Sequence, residues 1–300
     1  MNTAEMTAKM AAAQGFIAAL DQSGGSTPKA LAGYGIEAGA WGNDEEMFGL
    51  IHDMRSRIIR STVFNGDKVI GAILFERTMD GTVDDASVPA ALIAKGIVPF
   101  IKIDKGLEDE GFGGFGGVQL MKPMPELDAL LARSKALGVY GTKERSVIQS
   151  ANAAGIAAVV AQQFEVGRQV IAGGLMPILE PEVNITSASR AACDELLLVE
   201  ILKQLDMMSD KVMLKLSLPV VPGTFGPLVA HPKVLRVVAL SGGYQRPEAC
   251  AELAKNKGII ASFSRALLND LRFQMSDAEF DATLGEAIDA IYTGSTAKNA

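Results

Sequence analysis

The chain has 300 residues, of which 48% are apolar and 21% are charged, and this composition excludes a disordered or collagen-like protein. Its net charge is −7 and it has no basic block, which argues against a nucleic-acid-binding surface. With only two histidines, His52 and His231, and no cysteine cluster, the chain offers little material for a His-rich zinc site or a Ser-His-Asp triad.

The cysteines and the amino terminus both indicate a cytoplasmic protein. Cys193 and Cys250 lie far apart and predict free thiols in a reducing compartment rather than a disulfide framework. The segment MNTAEMTAKMAAA lacks the features of a signal peptide and is expected to lead directly into a strand. No apolar run approaches 18 residues, so no membrane span is predicted.

Short apolar runs alternate with longer helix-like segments along the chain. Strands are predicted at 16–21, 69–76, 98–104, 141–147, 175–183, 211–219, 234–242 and 258–266. Helices are predicted at 44–59, 87–95, 125–137, 152–172, 187–208 and 246–257, and a tail helix near 277–292.

This alternation favours a parallel sheet, because a parallel crossover needs a connection as long as a helix. Eight such units predict an α/β protein with a single (β/α)8 TIM barrel that spans residues 1–300 as one catalytic domain. The rival fold is an open doubly wound sheet, which usually carries a glycine-rich phosphate turn after its first strand. Residues 22–26, with the sequence QSGGS, match that turn poorly.

Ionisable side chains fall on one face of several predicted strands, toward the carboxyl ends. In 211–219, for example, Lys215 shares a face with Met213 and Ser217, opposite a row of apolar residues. The charged residues predicted on this inner face are Lys102, Lys143, Arg145, Lys215, Arg265, Asp21, Asp104, Glu180 and Glu182. Barrel enzymes build their active sites at this end, and buried charges are costly unless paired, so a lysine-based active site is expected.

The chemistry that such residues permit is narrow. A buried lysine with a lowered pKa can attack a carbonyl group to form a Schiff base, and a nearby carboxylate can shuttle the protons. The amides of 241–243 and an arginine after the last strand would suit a phosphate group. Together they suggest carbon–carbon bond chemistry on a phosphorylated sugar.

The motifs at these positions resemble class I fructose-1,6-bisphosphate aldolase, the Schiff-base type, in its short bacterial form. The resemblance covers most of the chain. It is carried by AALDQSGGS at 18–26, IKIDKG at 101–106, KER at 143–145, PILEPE at 177–182, LK at 214–215, VPG at 221–223, LSGG at 240–243 and SFSRAL at 262–267.

The resemblance implies a role for each matching residue. Lys215 would form the imine, Glu180 would act as general acid and base with Glu182 beside it, and Asp21 would lie at the 4-hydroxyl group. Lys143 would assist proton transfer. The implied substrate-binding residues are Lys102, Arg145, Ser241, Gly242, Gly243 and Arg265, with Ser23 and Ser26 for the distal phosphate.

Some positions depart from the animal-type pattern of the family. The stretch 44–48 is acidic where an arginine for the distal phosphate is expected, and Arg55 or Arg57 is the alternative cation. Lys215 is followed by Leu-Ser-Leu-Pro instead of Pro-Asn. Tyr292 is expected to pack the last helix rather than to act as a catalytic tail tyrosine, and 111–117 is expected to be a mobile loop.

The resemblance implies metal-independent, reversible cleavage of fructose 1,6-bisphosphate into dihydroxyacetone phosphate and glyceraldehyde 3-phosphate, as in glycolysis and gluconeogenesis. No cofactor is implied, the partner is a small phosphorylated sugar, and a homo-oligomer stays open. One alternative is a Schiff-base barrel aldolase for deoxyribose phosphate, sedoheptulose bisphosphate or tagatose bisphosphate. The other is a non-catalytic sugar-phosphate-binding scaffold.

Overall fold

Eight parallel strands form the centre of the computed structural model, which describes residues 1–299. They are β1 (Phe16–Leu20), β2 (Val69–Leu74), β3 (Val98–Lys102), β4 (Gly141–Ile148), β5 (Met176–Val183), β6 (Val212–Ser217), β7 (Val234–Leu240) and β8 (Ile259–Phe263). Their residues are almost all buried, as expected for strands that are covered on both faces.

The sheet closes on itself. Each strand pairs with the next in parallel, β8 pairs with β1, and β3 pairs with β4 through Lys102 opposite Lys143. The predicted (β/α)8 barrel is therefore confirmed, and the open doubly wound sheet is wrong.

Helices surround the barrel and cover its amino-terminal end. They are α1 (Thr3–Ala12), α2 (Ser26–Tyr34), α3 (Asp44–Arg60), α4 (Glu76–Met79), α5 (Val88–Ala94), α6 (Leu127–Ala136), α7 (Ala153–Ala172), α8 (Arg190–Asp206), α9 (Gly226–Val229), α10 (Arg246–Ala254), α11 (Arg265–Leu268) and α12 (Asp277–Thr296). Two short strands, Thr82–Val83 and Ala86–Ser87, form a hairpin, and Val118–Gln119 pairs antiparallel with the end of β4. Within residues 1–299, no helix is long and apolar enough to cross a membrane.

Two cores fill the molecule. The larger core lies between the strands and the surrounding helices. The smaller one fills the amino-terminal half of the barrel interior, where Met6 and Met10 of α1 pack with side chains such as Phe100 and Met213. Because this half is apolar and plugged, the polar interior is confined to the carboxyl-terminal half.

All eight predicted strands are confirmed. Seven of the predictions run one to three residues past an end of the strand, and the prediction for β4 stops one residue short of Ile148. The prediction that the amino terminus leads directly into a strand is wrong, because α1 precedes β1. Asn2 and Glu5 form a capping box for that helix, and Met6 and Met10 lie one turn apart on its buried face. Helix α2 was also not predicted, since Pro28 and the glycines around it are typical of a loop.

Candidate active site

A cavity with a volume of about 750 Å³ opens at the carboxyl ends of the strands. Most of the predicted site residues line it: Asp21, Ser23, Ser26, Lys102, Lys143, Arg145, Glu180, Glu182, Lys215, Ser241, Gly242 and Arg265. They come from different strands and from the loops that follow them. The alternation of side chains along each strand, which predicted this shared face, also explains why residues so distant in sequence meet here.

Glu180 of β5 lies between two lysines. Its Oε1 is 2.9 Å from Nζ of Lys215 on β6, and its Oε2 is 2.9 Å from Nζ of Lys143 on β4. The three residues are 2–4% exposed. A carboxylate in contact with both amines can take a proton from either of them and return it.

Two aspartates complete the charge network around Lys143. Its Nζ is 2.7 Å from Oδ2 of Asp21, which directly follows β1, and 3.9 Å from Oδ2 of Asp104. Asp104 also pairs with Lys102 at 2.8 Å and accepts a hydrogen bond from the Arg145 N–H at 3.2 Å. Asp104 therefore holds β3 and β4 in place beside the lysines.

These contacts determine the charge state of the network. Burial alone would raise the pKa values of Asp21 and Glu180, but Lys143 and Lys215 hold both pKa values below their usual ranges. Burial would lower the pKa of Lys143, but Asp21, Glu180 and Asp104 raise it above its usual value. The three lysines of this network thus balance the charges of its three carboxylates. The positive charge that binds a phosphate group must therefore come from other residues of the cavity.

Arg145 and Glu182 form a separate pair at the rim, with Nε of the arginine 2.5 Å from Oε2 of the glutamate. Arg145 is two residues beyond Lys143 on the inner face of β4, and Glu182 is two residues beyond Glu180 on β5. The pair is more exposed than the lysines, so it faces a ligand entering the cavity rather than the centre of the network.

The loop after β7 and the start of α11 form one end of the cavity. Gly242 and Gly243 have φ values of 62° and 125°, and a Cβ at Gly242 would lie 2.5 Å from Cγ2 of Ile185. Neither glycine N–H donates a hydrogen bond within residues 1–299. A Cβ at Gly243 would be 3.6 Å from Nη2 of Arg265, so the guanidinium group lies close to this loop. Gly243 is the one predicted site residue that does not line the cavity. Free N–H groups next to an arginine are suited to an anion.

Helix α2 and the loop before it form another end of the cavity. The Ser26 hydroxyl donates to the Ser23 carbonyl at 2.8 Å and accepts from the Ser23 N–H at 3.0 Å. Lys29 lies one turn further along α2 and lines the cavity. Lys29 is not among the predicted site residues. The residues of α2 that line the cavity have the spacing of one helix face: Ser26, Lys29, Ala30 and Gly33. This spacing indicates a site residue only once the segment is known to be a helix.

The prediction that Arg55 or Arg57 lies at this end as a free cation is wrong. Arg55 is fully buried and donates to the Gln22 carbonyl and to Oγ1 of Thr78. Arg57 donates to main-chain carbonyls and pairs with Asp277 at the start of α12. Both guanidinium groups join elements of the scaffold and do not line the cavity.

Other residues singled out from the sequence lie away from the cavity. The acidic residues of 44–46 form the first turn of α3, where Glu46 accepts from the Gly42 N–H. Tyr292 of α12 lies with its ring near Lys68, just before β2, at the amino-terminal end of the barrel. His52 contacts the Thr82 carbonyl and His231 lies 3.5 Å from Asp206. Within residues 1–299, no group of three or more His, Cys, Asp or Glu side chains could hold a metal ion.

A barrel with two lysines and a shared carboxylate at its carboxyl end has the groups that Schiff-base chemistry on a carbonyl compound requires. The family model for fructose-bisphosphate aldolase class-I matches residues 3–224. The chain therefore belongs to the class-I fructose-bisphosphate aldolase family, and this membership supports a lyase that binds phosphorylated sugars.

Solved structures of aldolases share the fold. Fructose-bisphosphate aldolase from Plasmodium falciparum, solved in complex with TRAP and a small-molecule inhibitor, superposes with a TM-score of 0.80 at 20% identity. The match covers 99% of this chain and 96% of that one. An archaeal fructose 1,6-bisphosphate aldolase gives a TM-score of 0.54 at 12% identity, over 96% of this chain and 99% of that one. At these identities the likeness establishes the barrel fold.

Proposed function

We propose that this protein is a class I fructose-bisphosphate aldolase that cleaves fructose 1,6-bisphosphate reversibly through a Schiff base on Lys215. The observation that carries the proposal is the position of Glu180, which contacts the amine of Lys215 and the amine of Lys143 at 2.9 Å each. A site for binding alone would not need two buried amines around one carboxylate, because each buried charge costs free energy. A site for imine chemistry needs this arrangement.

Formation of the imine begins with a proton transfer. Lys215 gives a proton to Glu180, and the neutral amine attacks the ketose carbonyl carbon. A second proton passes from the attacking nitrogen to the former carbonyl oxygen, which becomes a hydroxyl group. Glu180 then returns the proton to that hydroxyl, which leaves as water while the carbon–nitrogen double bond forms. The negative field that keeps Lys143 protonated leaves Lys143 as a hydrogen-bond donor to substrate oxygens during these steps.

Cleavage of the carbon–carbon bond follows at the other carboxylate. Asp21 accepts the proton of the 4-hydroxyl group, the bond between C3 and C4 breaks, and its electron pair moves to the imine to give an enamine. Glyceraldehyde 3-phosphate leaves as the aldehyde. The proton that Asp21 accepted passes to the enamine carbon, and water hydrolyses the resulting imine, which releases dihydroxyacetone phosphate and returns Lys215 to its amine form.

The two ends of the cavity supply the contacts for the two phosphate groups. The amides of Gly242 and Gly243, the Ser241 hydroxyl and Arg265 bind the phosphate next to the imine. Ser23, Ser26 and Lys29 bind the distal phosphate, while Lys102 and Arg145 contact the sugar between them. Membership of the fructose-bisphosphate aldolase family, shown by the match over residues 3–224, supports a substrate with two phosphate groups.

The reaction is proposed to be independent of metal and to take place in the cytoplasm as a step of glycolysis and gluconeogenesis. The chain is proposed to act as one catalytic domain. The charges of the lysines and carboxylates already balance one another, and the two cysteines are free thiols, as in a reducing compartment.

Borohydride trapping tests the proposal. With dihydroxyacetone phosphate, reduction should add the mass of the reduced adduct to the peptide that carries Lys215, and Lys215→Met should abolish both trapping and turnover. Lys105→Met, at an exposed lysine that pairs with Glu76 outside the cavity, is the matched control. Trapping on Lys102 or Lys143 instead would overturn the assignment of the nucleophile.

Substrate and metal dependence separate the alternatives. Turnover of fructose 1,6-bisphosphate should exceed that of deoxyribose phosphate, sedoheptulose bisphosphate and tagatose bisphosphate, and it should survive prolonged treatment with EDTA. Preference for one of the other sugars would assign a different aldolase, and binding without turnover would favour the scaffold. Loss of activity in EDTA with recovery in zinc would contradict the Schiff-base mechanism.

A further inference from the structure

A cluster of buried polar side chains lies behind the proposed active site, between β4 and α7. Thr142, Glu144 and Ser146 occupy the outer face of β4, opposite Lys143 and Arg145, and Gln163 of α7 reaches them. All four polar residues of the cluster are fully buried. Buried polar groups in a layer between strand and helix are costly unless hydrogen-bonded, so their contacts indicate what the cluster does.

The amide of Gln163 joins two strands. Its Nε2 donates to Oγ of Ser146 at 2.6 Å and to the Glu144 carbonyl at 3.2 Å, both on β4. Its Oε1 accepts from the Glu180 N–H at 3.2 Å on β5. Glu144 lies opposite Leu179 in the parallel ladder, and that register brings the Glu144 carbonyl and the Glu180 N–H face to face. One side chain therefore holds both groups at this point of the sheet.

On its other side, the strand that carries Glu180 has a short backbone ladder, and beyond it the Ser217 hydroxyl of β6 donates to the Val183 carbonyl of β5 at 2.6 Å. The pairing of β5 with β6 consists of Ile178 opposite Met213 and Leu179 opposite Leu214. It ends one residue before Glu180 and Lys215 would face each other. Residue 181, which follows Glu180, is a proline and has no N–H to donate. The backbone pairing of β5 with β6 thus ends just before Glu180 and Lys215, the two residues whose side chains must stay in contact.

We infer that Gln163 is a positioning residue that holds the Glu180 peptide against β4, so that the carboxylate stays between Lys143 and Lys215. The inference rests on the proposed role of Glu180 in imine formation. It differs from a purely structural role because the bond is made to the peptide of Glu180 itself, on the face of β5 opposite its carboxylate. Loss of the amide leaves that peptide held by the ladder to β4 alone, and we expect the carboxylate to keep its position between Lys143 and Lys215 less well.

The substitution Gln163→Met keeps the length of the side chain and removes the amide. We expect it to lower kcat and the initial rate of borohydride trapping with dihydroxyacetone phosphate by about tenfold, the effect of losing hydrogen bonds of ordinary strength. The KM for fructose 1,6-bisphosphate should change by less than about twofold, since Gln163 touches no part of the cavity.

The neighbouring residue supplies a matched control. The amide of Gln162 binds the Met121 main chain, accepting from its N–H at 2.8 Å and donating to its carbonyl at 2.9 Å. Gln162→Met removes a similar number of bonds from the same helix and should lower the Tm without lowering the trapping rate. If both variants lose Tm and both keep the wild-type trapping rate, the role of Gln163 is only structural and the inference is overturned.

Failure of the inference is distinct from failure of the proposed function. If the wild-type protein forms no reducible adduct with dihydroxyacetone phosphate, the proposed function fails and the inference fails with it. If the wild type is trapped and Gln163→Met is trapped at the same rate, the inference alone fails. Should Gln163→Met not fold, Ser146→Ala decides the question. It removes the 2.6 Å bond that orients the amide and should slow trapping at least about twofold, whereas an unchanged rate would overturn the inference.

Discussion

Glu180 is the residue on which the charges of the site converge. Its carboxylate contacts Lys143 and Lys215, and its N–H is bound by Gln163 on the opposite face of the strand. Because Lys143 is surrounded by Asp21, Asp104 and Glu180, its pKa is raised, and it keeps its charge over the working pH range. Two lysines at one carboxylate can thus take different roles, one as nucleophile and one as fixed cation.

Arg265 is the residue for which a change in substrate binding is expected. We predict that Arg265→Ala lowers kcat/KM for fructose 1,6-bisphosphate about ten- to a hundredfold, because a charge-assisted contact to phosphate contributes about 1.5–3 kcal/mol. Trapping of Lys215 by high dihydroxyacetone phosphate should persist. Steady-state kinetics with fructose 1,6-bisphosphate and fructose 1-phosphate measure the effect, and equal rates in variant and wild type with both sugars would place the phosphate elsewhere.

Helix α8 connects two loops of the cavity rim. Arg190 donates to the Leu218 carbonyl after β6 and to the Tyr244 hydroxyl after β7, the latter at 2.8 Å. Asp194, one turn later, accepts from the Val220 N–H at 2.9 Å. The loop that follows the strand of Lys215 and the loop that carries Gly242 are therefore held by the same helix.

Asp194 makes the contribution of this helix depend on pH. Burial raises the pKa of Asp194 to about 6, although the Val220 N–H and Arg190 oppose the rise. Its value in the unfolded chain is near 3.8, so the ionised side chain lowers stability fully above about pH 6, and the penalty disappears as the pH falls below about 4. We predict that the Tm of Asp194→Asn relative to wild type is higher at about pH 7.5 than at about pH 4.5.

Thermal unfolding at the two pH values checks this prediction. Glu165→Gln, at an exposed carboxylate on α7, is the control and should leave the Tm within about one degree of wild type at both. An Asp194→Asn difference in Tm that is the same at both pH values would mean that the Asp194 carboxyl titrates as in the unfolded chain.

Most strands could be predicted because their residues are apolar on both faces, except at the carboxyl ends, where charges alternate inward; β4 is the exception, since its outer face carries Thr142, Glu144 and Ser146. That alternation is sufficient to predict the shared face of Lys143, Glu180 and Lys215 from the sequence. Elements whose role depends on packing could not be located in this way: α2 carries Lys29 in a segment whose glycines and Pro28 are typical of loops. The bond of Gln163 to Glu180 depends on the register of β4 and β5, which the spacing of residues along one chain does not determine.

The molecule as a whole separates stability from chemistry along the barrel axis. At the amino-terminal end, α1 closes an apolar interior, with Arg236 donating to the Ala13 carbonyl and the Tyr140 hydroxyl donating to Thr7. At the carboxyl end, the interior is lined by charged side chains that pair with one another. Buried charges contribute little net free energy of folding, so most of the stabilisation from the barrel interior must come from the apolar half.

This division predicts the effect of truncating Met10, which is fully buried under the barrel. We predict that Met10→Ala lowers the free energy of unfolding by about 2–5 kcal/mol, the cost of lost burial and of the cavity left behind. Its kcat/KM at a temperature where it is folded should equal that of wild type, because the packing that it loosens lies at the end of the barrel away from Lys215. Urea unfolding and steady-state kinetics measure the two quantities, with Met207→Ala, at an exposed methionine, as the control that changes neither. A parallel fall of kcat/KM in folded Met10→Ala would contradict this division. It would mean that the distances between the lysines and carboxylates depend on the packing of α1 against the apolar half of the barrel.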